Sequence, residues 1–332
     1  MILRDVDTRG LASWAVATAR EQWTRRGGLS ALVAALAVIT HGVMAFSLVF
    51  PSSVTEWVAS LLPQVFVIGL VLHLVAVGLA RSRAVLVRAV GVSATAAVFV
   101  AMVIAPWNQP ALAAGAAPSL RVTTYNALFT NSASPLLEPA DIIGLQEITT
   151  AKLESVAQDM NAPYTFMTRC ECTAPGTEVG LVSRYEISDA TFFDDGGAGT
   201  FARAELAITP DKTVVVYLAH LPSPENHSGR DRRNRLLEVI RAEIASETGD
   251  VILMGDLSVT VYSTTFRALR ADLNLQPVDY GFVPRCSWYG LGPLLCLRID
   301  HIMVSSGLRI VESSVGANQG SDHRPVSATI TW

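Results

Sequence analysis

Three stretches of this chain, Leu29–Phe50, Trp57–Ala80 and Ala89–Pro106, run on without a single Asp, Glu, Lys or Arg. Each has about the 17–25 residues that a helix needs to cross a hydrocarbon core. A helix buried in a water-soluble core would show a polar stripe, and none is evident here. The strongly polar side chains inside the stretches are His41, Gln64 and His73, each isolated, which points to helix packing. Gly69, Gly78, Gly91, Ala94 and Ala97 offer the small surfaces on which membrane helices approach each other. Three transmembrane helices over 29–106 are expected, behind an N-terminal segment 1–28.

Basic residues set the orientation of such helices. Arg4, Arg9, Arg20, Arg25 and Arg26 precede the first stretch, and Arg81, Arg83 and Arg88 precede the third. The connection Pro51–Glu56 and the segment Trp107–Leu120 have no Lys or Arg. The expectation is a cytoplasmic N-terminus in a bacterial-type inner membrane, with everything after residue 106 periplasmic or extracellular. A cleavable signal peptide fits poorly, because the first apolar run starts late and is too long. Residues 107–118 read as an Ala/Pro linker, and its slight likeness to a signal-peptidase site leaves release of the following domain open. With 16% charged residues, the chain is too apolar for an ordinary cytosolic enzyme.

The remainder, 119–332, is a different kind of sequence. Residues 1–118 carry 8 Lys+Arg against 4 Asp+Glu, whereas residues 119–332 carry 17 against 25, a net charge of −8. All four cysteines lie in this second part. An even number outside the cytoplasm suggests disulfides. Cys286 and Cys296 are expected to pair across a loop, whereas Cys170 and Cys172 would need a strained bridge. A zinc site is the alternative, but the Cys-x2-Cys spacing is missing.

Strand-like and helix-like segments alternate over 119–332. LRVTTYNAL, ADIIGLQEI, EVGLVSRYEI, FARAELAI, TVVVYLAHL, VILMGDLS, LRIDHIMVSS and RPVSATITW read as strands. AKLESVAQDM and RDRRNRLLEVIRAEIASE read as helices, the second with Leu236, Leu237, Ile240 and Ile244 on one face. Asn126, Glu147, His220, Asp256, Asp300, Asp322 and His323 each lie at or near an end of an apolar strand, where rigid scaffolds display chemistry. There is no internal repeat, no GxxxxGK[ST] and no GxSxG.

The ordered set RVTTYNA, IIGLQEIT, EVGLVSRYEI, LAHLPS, LMGDLSVT, LRIDHIMVS and GSDHRPV resembles the endonuclease/exonuclease/phosphatase superfamily, which includes deoxyribonucleases and sphingomyelinases. The resemblance covers about 119–332 and implies an α+β fold, a four-layer αββα sandwich. It implies that Asn126 and Glu147 hold a divalent metal, Mg2+ or alternatively Mn2+. Oxygen ligands suit such a hard cation. It implies that Asp322 orients groups or binds the metal, and that His323 contacts phosphate with Asp300 as its partner. A buried Asp beside a His orients the imidazole and raises its pKa. It implies that His220 gives a proton to the leaving oxygen and that Asp256 deprotonates the attacking water.

The main departure is Ser258. The family pattern is Gly-Asp-x-Asn, and this chain reads Gly255-Asp256-Leu257-Ser258. A Ser hydroxyl is a shorter donor, and loss of one positioned donor costs about 10²–10³ in rate. His301 is weighted evenly between core and site, and His227 is expected to be exposed. Arg230, Arg232, Arg233 and Arg235 are expected to form a solvated helix face with Asp231, Glu238 and Glu243 as partners; a phosphate grip is the alternative.

The net charge of −8 disfavours a long polyanion as substrate. The apolar, aromatic stretch Gly281–Leu297 would be at home at a membrane interface, or else packs on its own domain. The sequence thus points to a membrane-anchored, metal-dependent phosphodiesterase or phosphatase acting on a lipid or glycolipid phosphoester. Two alternatives are a surface nuclease cutting DNA or RNA, and a non-catalytic phospholigand-binding module marked by Ser258.

Overall fold

The computed structural model describes residues 8–50, 52–79, 90–91, 93–94, 118–129, 137–168, 176–194, 199–278 and 285–332. Its contacts divide the chain into two units. One comprises Met1–Val49 and Leu62–Val103, the other Phe50–Leu61 and Ile104–Trp332.

Three helices open the chain: α1 (Thr8–Val49), α2 (Ser53–Ser60) and α3 (Leu62–Leu79). Gly28–Val49 and Leu62–Leu79, each with a mean hydropathy of 2.2, are long and apolar enough to cross a membrane. Leu32, Ile39, Val67 and Leu74 are more than half exposed. That is the reverse of a soluble core helix. Where α1 meets α3, a Cβ added at Gly69 would come within 2.8 Å of the His41 ring. His41 Nδ1 bonds the Ala37 carbonyl at 2.8 Å, so this histidine packs, as its isolation suggested. A Cβ at Gly78 would meet nothing within 4 Å, whereas Gly69 makes a close approach between the helices.

The second apolar stretch does not begin its long helix at Trp57. Ser52 and Thr55 form a capping box that opens a separate short helix, α2, and Leu61 ends it. Pro63 lacks an N–H and is tolerated in the first turn of a new helix rather than inside an old one. The third stretch, Ala89–Pro106, lies outside the described residues except for 90–91 and 93–94. Among the described residues, two helices rather than three are long and apolar enough to span.

The second unit carries two six-stranded sheets. Strands β1 (Ser119–Asn126), β2 (Ile142–Gln146), β3 (Tyr164–Met167) and β4 (Val179–Ser183) join β11 (Arg309–Val315) and β12 (Val326–Thr331) in the order β11-β12-β1-β2-β4-β3. Strands β5 (Glu186–Asp194), β6 (Thr200–Thr209), β7 (Lys212–His220), β8 (Asp250–Asp256), β9 (Gln276–Pro277) and β10 (Asp300–Val304) form the other, ordered β5-β6-β7-β8-β10-β9. Helices α4 (Thr150–Asp159), α5 (His227–Ser246) and α6 (Thr264–Leu273) complete the unit.

Each sheet has one parallel pair at its centre, β1 with β2 and β7 with β8. Central strands covered on both faces need apolar residues at every position, which is why IIGLQ and VILMG read as unbroken runs. Tyr125, Ile143 and Leu145 pack with Leu153, Val156 and Ala157 of α4 in one core cluster. Gly144, between Ile143 and Leu145, faces the other sheet, where Leu218 and Met254 occupy the space a side chain would take. This is the α+β sandwich that the sequence implies.

Several elements differ from expectation. EVGLVSRYEI is two strands, because the chain leaves one sheet at Ser183 and enters the other at Glu186. Arg184, in the break, bonds Asp141 and the Met160 carbonyl. Strands β3, β9 and β11 and helix α6 are additions. The Cys286–Cys296 disulfide forms, while Cys170 and Cys172 lie outside the described residues.

The sheet contact at Gly144 can be tested. A Cβ there would sit 2.5 Å from Leu218 Cδ1. Gly144→Val is expected to destabilise the protein by about 1–3 kcal/mol through overpacking, read as a lowered Tm. An unchanged Tm would contradict this sheet-to-sheet contact.

Candidate active site

Parallel strands end at a common edge, and the register brings the polar strand ends together. Asn126, last in β1, pairs with Gln146, last in β2 and next to Glu147. His220, last in β7, pairs with Asp256, last in β8. The antiparallel neighbours begin where these strands end. Asp300, first in β10, pairs with Asp256, and Val326, first in β12, pairs with Thr124, which brings the preceding Asp322 and His323 to the same edge.

Hydrogen bonds then tie the two sheets. The Asn126 amide donates to Glu147 Oε1 at 2.9 Å and to Asp256 Oδ2 at 3.3 Å. Its Oδ1 accepts from the Leu128 N–H at 3.1 Å. His220 Nε2 lies 3.5 Å from Glu147 Oε1. His323 Nδ1 bonds Asp300 Oδ2 at 2.9 Å, and its Nε2 lies 3.7 Å from Asp256 Oδ2. Ser321 Oγ donates to the Asn126 carbonyl at 2.9 Å and accepts from the His323 N–H at 3.0 Å. The Trp288 indole donates to Asp322 Oδ2 at 2.8 Å. Ser258 N–H donates to Asp256 Oδ1 at 2.9 Å, while its hydroxyl donates to the Leu221 carbonyl at 3.0 Å.

The backbone is left-handed at three non-glycine positions of this region: Leu128 (φ 56°), Glu147 (φ 51°) and Ser258 (φ 49°). Such residues cost free energy and collect where a side chain must be aimed. Gly255 has φ 133°, and a Cβ there would lie 2.0 Å from the Ala219 carbonyl oxygen, so only glycine fits before Asp256.

Electrostatics distinguish the two buried aspartates. Burial pushes the Asp256 carboxyl up, against the pull of nearby His323. Burial works in the same direction on Asp300, but the charge and hydrogen bond of His323, with a bond from Ser287, outweigh it and hold Asp300 low. Burial alone would lower His323, yet Asp300, Asp256 and Asp322 together raise it to about 10, so it is an imidazolium at neutral pH.

His301 points the other way along β10. Its Nε2 bonds the Val259 carbonyl at 2.6 Å and its ring packs on Phe266 at 4.5 Å. Burial lowers its pKa to about 3. It is a core residue, which settles the even weighting.

A cavity of about 580 Å³ opens onto this edge. Glu147, His220, Asp256, Ser258, Asp322 and His323 line it. Trp57, Leu128, Trp288, Leu291, Leu297 and Ile299 are also on its lining. Asn126 and Asp300 are not on the lining and act from behind it. The exposed His227 sits at the start of α5 and also borders the cavity.

The residues present fit a hard divalent cation. Glu147 and Asp256 turn carboxylate oxygens toward one amide, and a cation there would offset the burial that raises the Asp256 pKa. Asp256, Asp300 and His323 also bring ligand-capable atoms within 4.8 Å of one another. Asp322, a candidate ligand from sequence, has one oxygen engaged by Trp288.

Within the arginine cluster, Arg233 departs from the expected solvated face, while Arg235 is exposed as expected. Arg230 pairs with Asp231 and borders the cavity. Arg233 is buried, with 1% of its side chain exposed, and pairs with Glu56. The signal was in the helix periodicity, since Arg233, Leu236, Leu237, Ile240 and Ile244 fall on one face. Trp288 as the holder of Asp322 had no sequence signal beyond its loop.

The profile of the Endonuclease/Exonuclease/phosphatase family matches residues 123–323. The chain belongs to that family. No curated protein matches it in sequence. Among solved structures, a functionally unknown conserved protein from Enterococcus faecalis superposes with a TM-score of 0.53 at 15% identity, covering 64% of this chain and 99% of its own. The endonuclease/exonuclease/phosphatase from Beutenbergia cavernae gives 0.51 at 17%, covering 64% and 71%. The D. rerio TDP2 complex with single-strand DNA product gives 0.50 at 15%, covering 64% and 99%. At these identities the likeness shows a shared fold.

His301 gives a pH prediction. Its pKa is 6.5 unfolded and about 3 folded, so the unfolded chain binds the extra proton between those values. Stability therefore falls as pH drops from 6.5 toward 3. His301→Gln is expected to flatten this acid limb in denaturant titrations at pH 7 and pH 4. An unchanged pH slope would contradict a buried neutral imidazole.

Proposed function

We propose that this family member is a membrane-anchored, divalent-metal-dependent phosphoester hydrolase, acting outside the cytoplasm on a lipid or glycolipid phosphoester. The carrying observation is one cavity lined both by the acid–base residues and by large apolar side chains. A phosphate facing Glu147, His220, Asp256 and His323 would leave the apolar part of its ester against Trp288, Leu291 and Ile299. Leu291, on the lining, is 52% exposed and Leu294, three positions on, is 86% exposed, which suits contact with lipid. Arg230 is the one Arg or Lys among the described lining residues, and net −8 over 119–332 gives little footprint for a polyanion. The two apolar helices, the basic N-terminal segment and the disulfide support the anchor and the compartment.

Glu147 and Asp322 would hold Mg2+ or Mn2+, and Asn126 would join them through Oδ1 with its amide turned over, since its nitrogen faces Glu147 and Asp256 in this arrangement. Bound there, the cation polarises a phosphoryl oxygen and offsets the carboxylate charge. Asp256, with its raised pKa and one oxygen fixed by the Ser258 N–H, accepts a proton from the attacking water. The His323 imidazolium, oriented by Asp300, donates toward a phosphoryl oxygen. His220 has Nε2 beside Glu147 and a buried Nδ1 without a partner, and it supplies the leaving oxygen with a proton. Ser258 commits its hydroxyl to Leu221, which leaves the site one donor short of the family pattern.

Two outcomes test this reading. In purified full-length protein, Glu147→Gln or chelation of the metal is expected to reduce hydrolysis of bacterial phospholipid to background, with plasmid DNA left intact. Nicked plasmid with intact lipid would instead establish the nuclease. Ser258→Asn is expected to raise kcat by about 10²-fold, the weight of one positioned donor. Binding of phosphate esters without turnover in both forms would favour the non-catalytic module.

A further inference from the structure

The segment Phe50–Leu61, between the two apolar helices in sequence, folds as part of the catalytic unit. Its helix α2 brings Glu56, Trp57 and Ser60 to the cavity lining. Glu56 Oε1 accepts from Arg233 Nη2 at 2.5 Å. The opposite guanidinium nitrogen, Nη1, donates to the Ser258 carbonyl at 3.0 Å. Ser258 in turn holds Asp256 through its N–H and has the left-handed backbone of the turn. An unbroken chain of bonds thus runs from α2 to the carboxylate at the centre of the site.

The chain of bonds depends on charge. Arg233 is buried, and burial works against its guanidinium, with Glu56 as the opposing carboxylate. Removing one partner of such a pair leaves an uncompensated buried charge. The guanidinium would then shift toward its remaining partners, Asn234 and Ser258, and drag the turn with it. Trp57, beside Glu56, is 43% exposed and lines the same cavity as the apolar Leu291 and Ile299.

We propose that α2 is a built-in wall of the active site, with Glu56 and Arg233 as positioning residues for the Asp256–Ser258 turn and Trp57 as a specificity-determining residue for the apolar part of the substrate. The proposal rests on the reading of the site as a phosphoester hydrolase, and its test includes a readout without turnover.

The full-length protein in detergent is assayed with Mg2+ on methyl p-nitrophenyl phosphate and on phospholipid in mixed micelles. Glu56→Gln is expected to lower kcat about 10²-fold on both esters with little change in KM, the scale of a misplaced catalytic group. Glu56→Asp, which keeps the charge, is expected to recover most of that loss. Hydrogen exchange at the amides of 256–260 is expected to accelerate in Glu56→Gln and to return in Glu56→Asp. Where Glu56→Gln does not fold, Arg233→Lys, which keeps the ion pair but loses the fork, carries the same expectation. Trp57→Ala is expected to raise KM about tenfold for the phospholipid, and by less for the small ester. A lowered Tm with kcat and turn exchange unchanged would make the pair a structural staple and overturn the positioning role. Equal KM shifts on both esters would overturn the role of Trp57. If the wild type turns over neither ester, the hydrolase reading fails and the specificity role falls with it, while the exchange measurement still decides whether α2 holds the turn.

Discussion

One carboxamide spans the seam between the two sheets. Asn126, at the end of β1, donates both to Glu147 in its own sheet and to Asp256 in the other. The two carboxylates repel each other, and the amide between them offsets that repulsion with a hydrogen bond to each. The Ser321 hydroxyl clamps the Asn126 backbone and also receives the His323 N–H, so the histidine inherits its position from the same residue. His323 then holds Asp300 low and faces Asp256. The acid–base set is a network hung on one side chain, and buried networks of this kind are rigid only when every member is satisfied.

The scaffold explains why the network sits at an edge. Both sheets are built around a parallel pair, and parallel strands finish together. Antiparallel partners on each flank start at that same edge, so loops and strand starts far apart in sequence meet there. The left-handed turns at Glu147 and Ser258, with the cramped glycine at Gly255, bend the last residues of β2 and β8 inward. Regular geometry supplies the address, and a few strained residues supply the aim.

What was legible in the sequence follows this division. Buried central strands need apolar runs, so a polar residue that ends such a run stands out. That made Asn126, Glu147, His220, Asp256 and the Asp322–His323 pair visible, and their order gave the family and the sandwich. Contacts made across long sequence separations were not visible. The break at Arg184, where an apparently continuous strand changes sheet, depends on which sheet has room. Short helix α6 shows two buried apolar positions, Phe266 and Leu269, too few to announce itself. The burial of Arg233 needed Glu56, 177 positions away. The separate helix α2 overlaps the start of the apolar stretch from Trp57, with a Ser52/Thr55 capping box before it and Pro63 after it.

The Glu56–Arg233 pair also constrains how the chain is threaded. An ion pair formed between two folded segments places both on the same side of any bilayer. Glu56 stands between α1 and α3, and Arg233 comes after both. If α1 and α3 each traverse the membrane, α3 carries the chain away from the compartment that holds Glu56. A single salt bridge thereby ties the connection between α1 and α3 to the compartment of the second unit, whatever the sign of the charges in the loops.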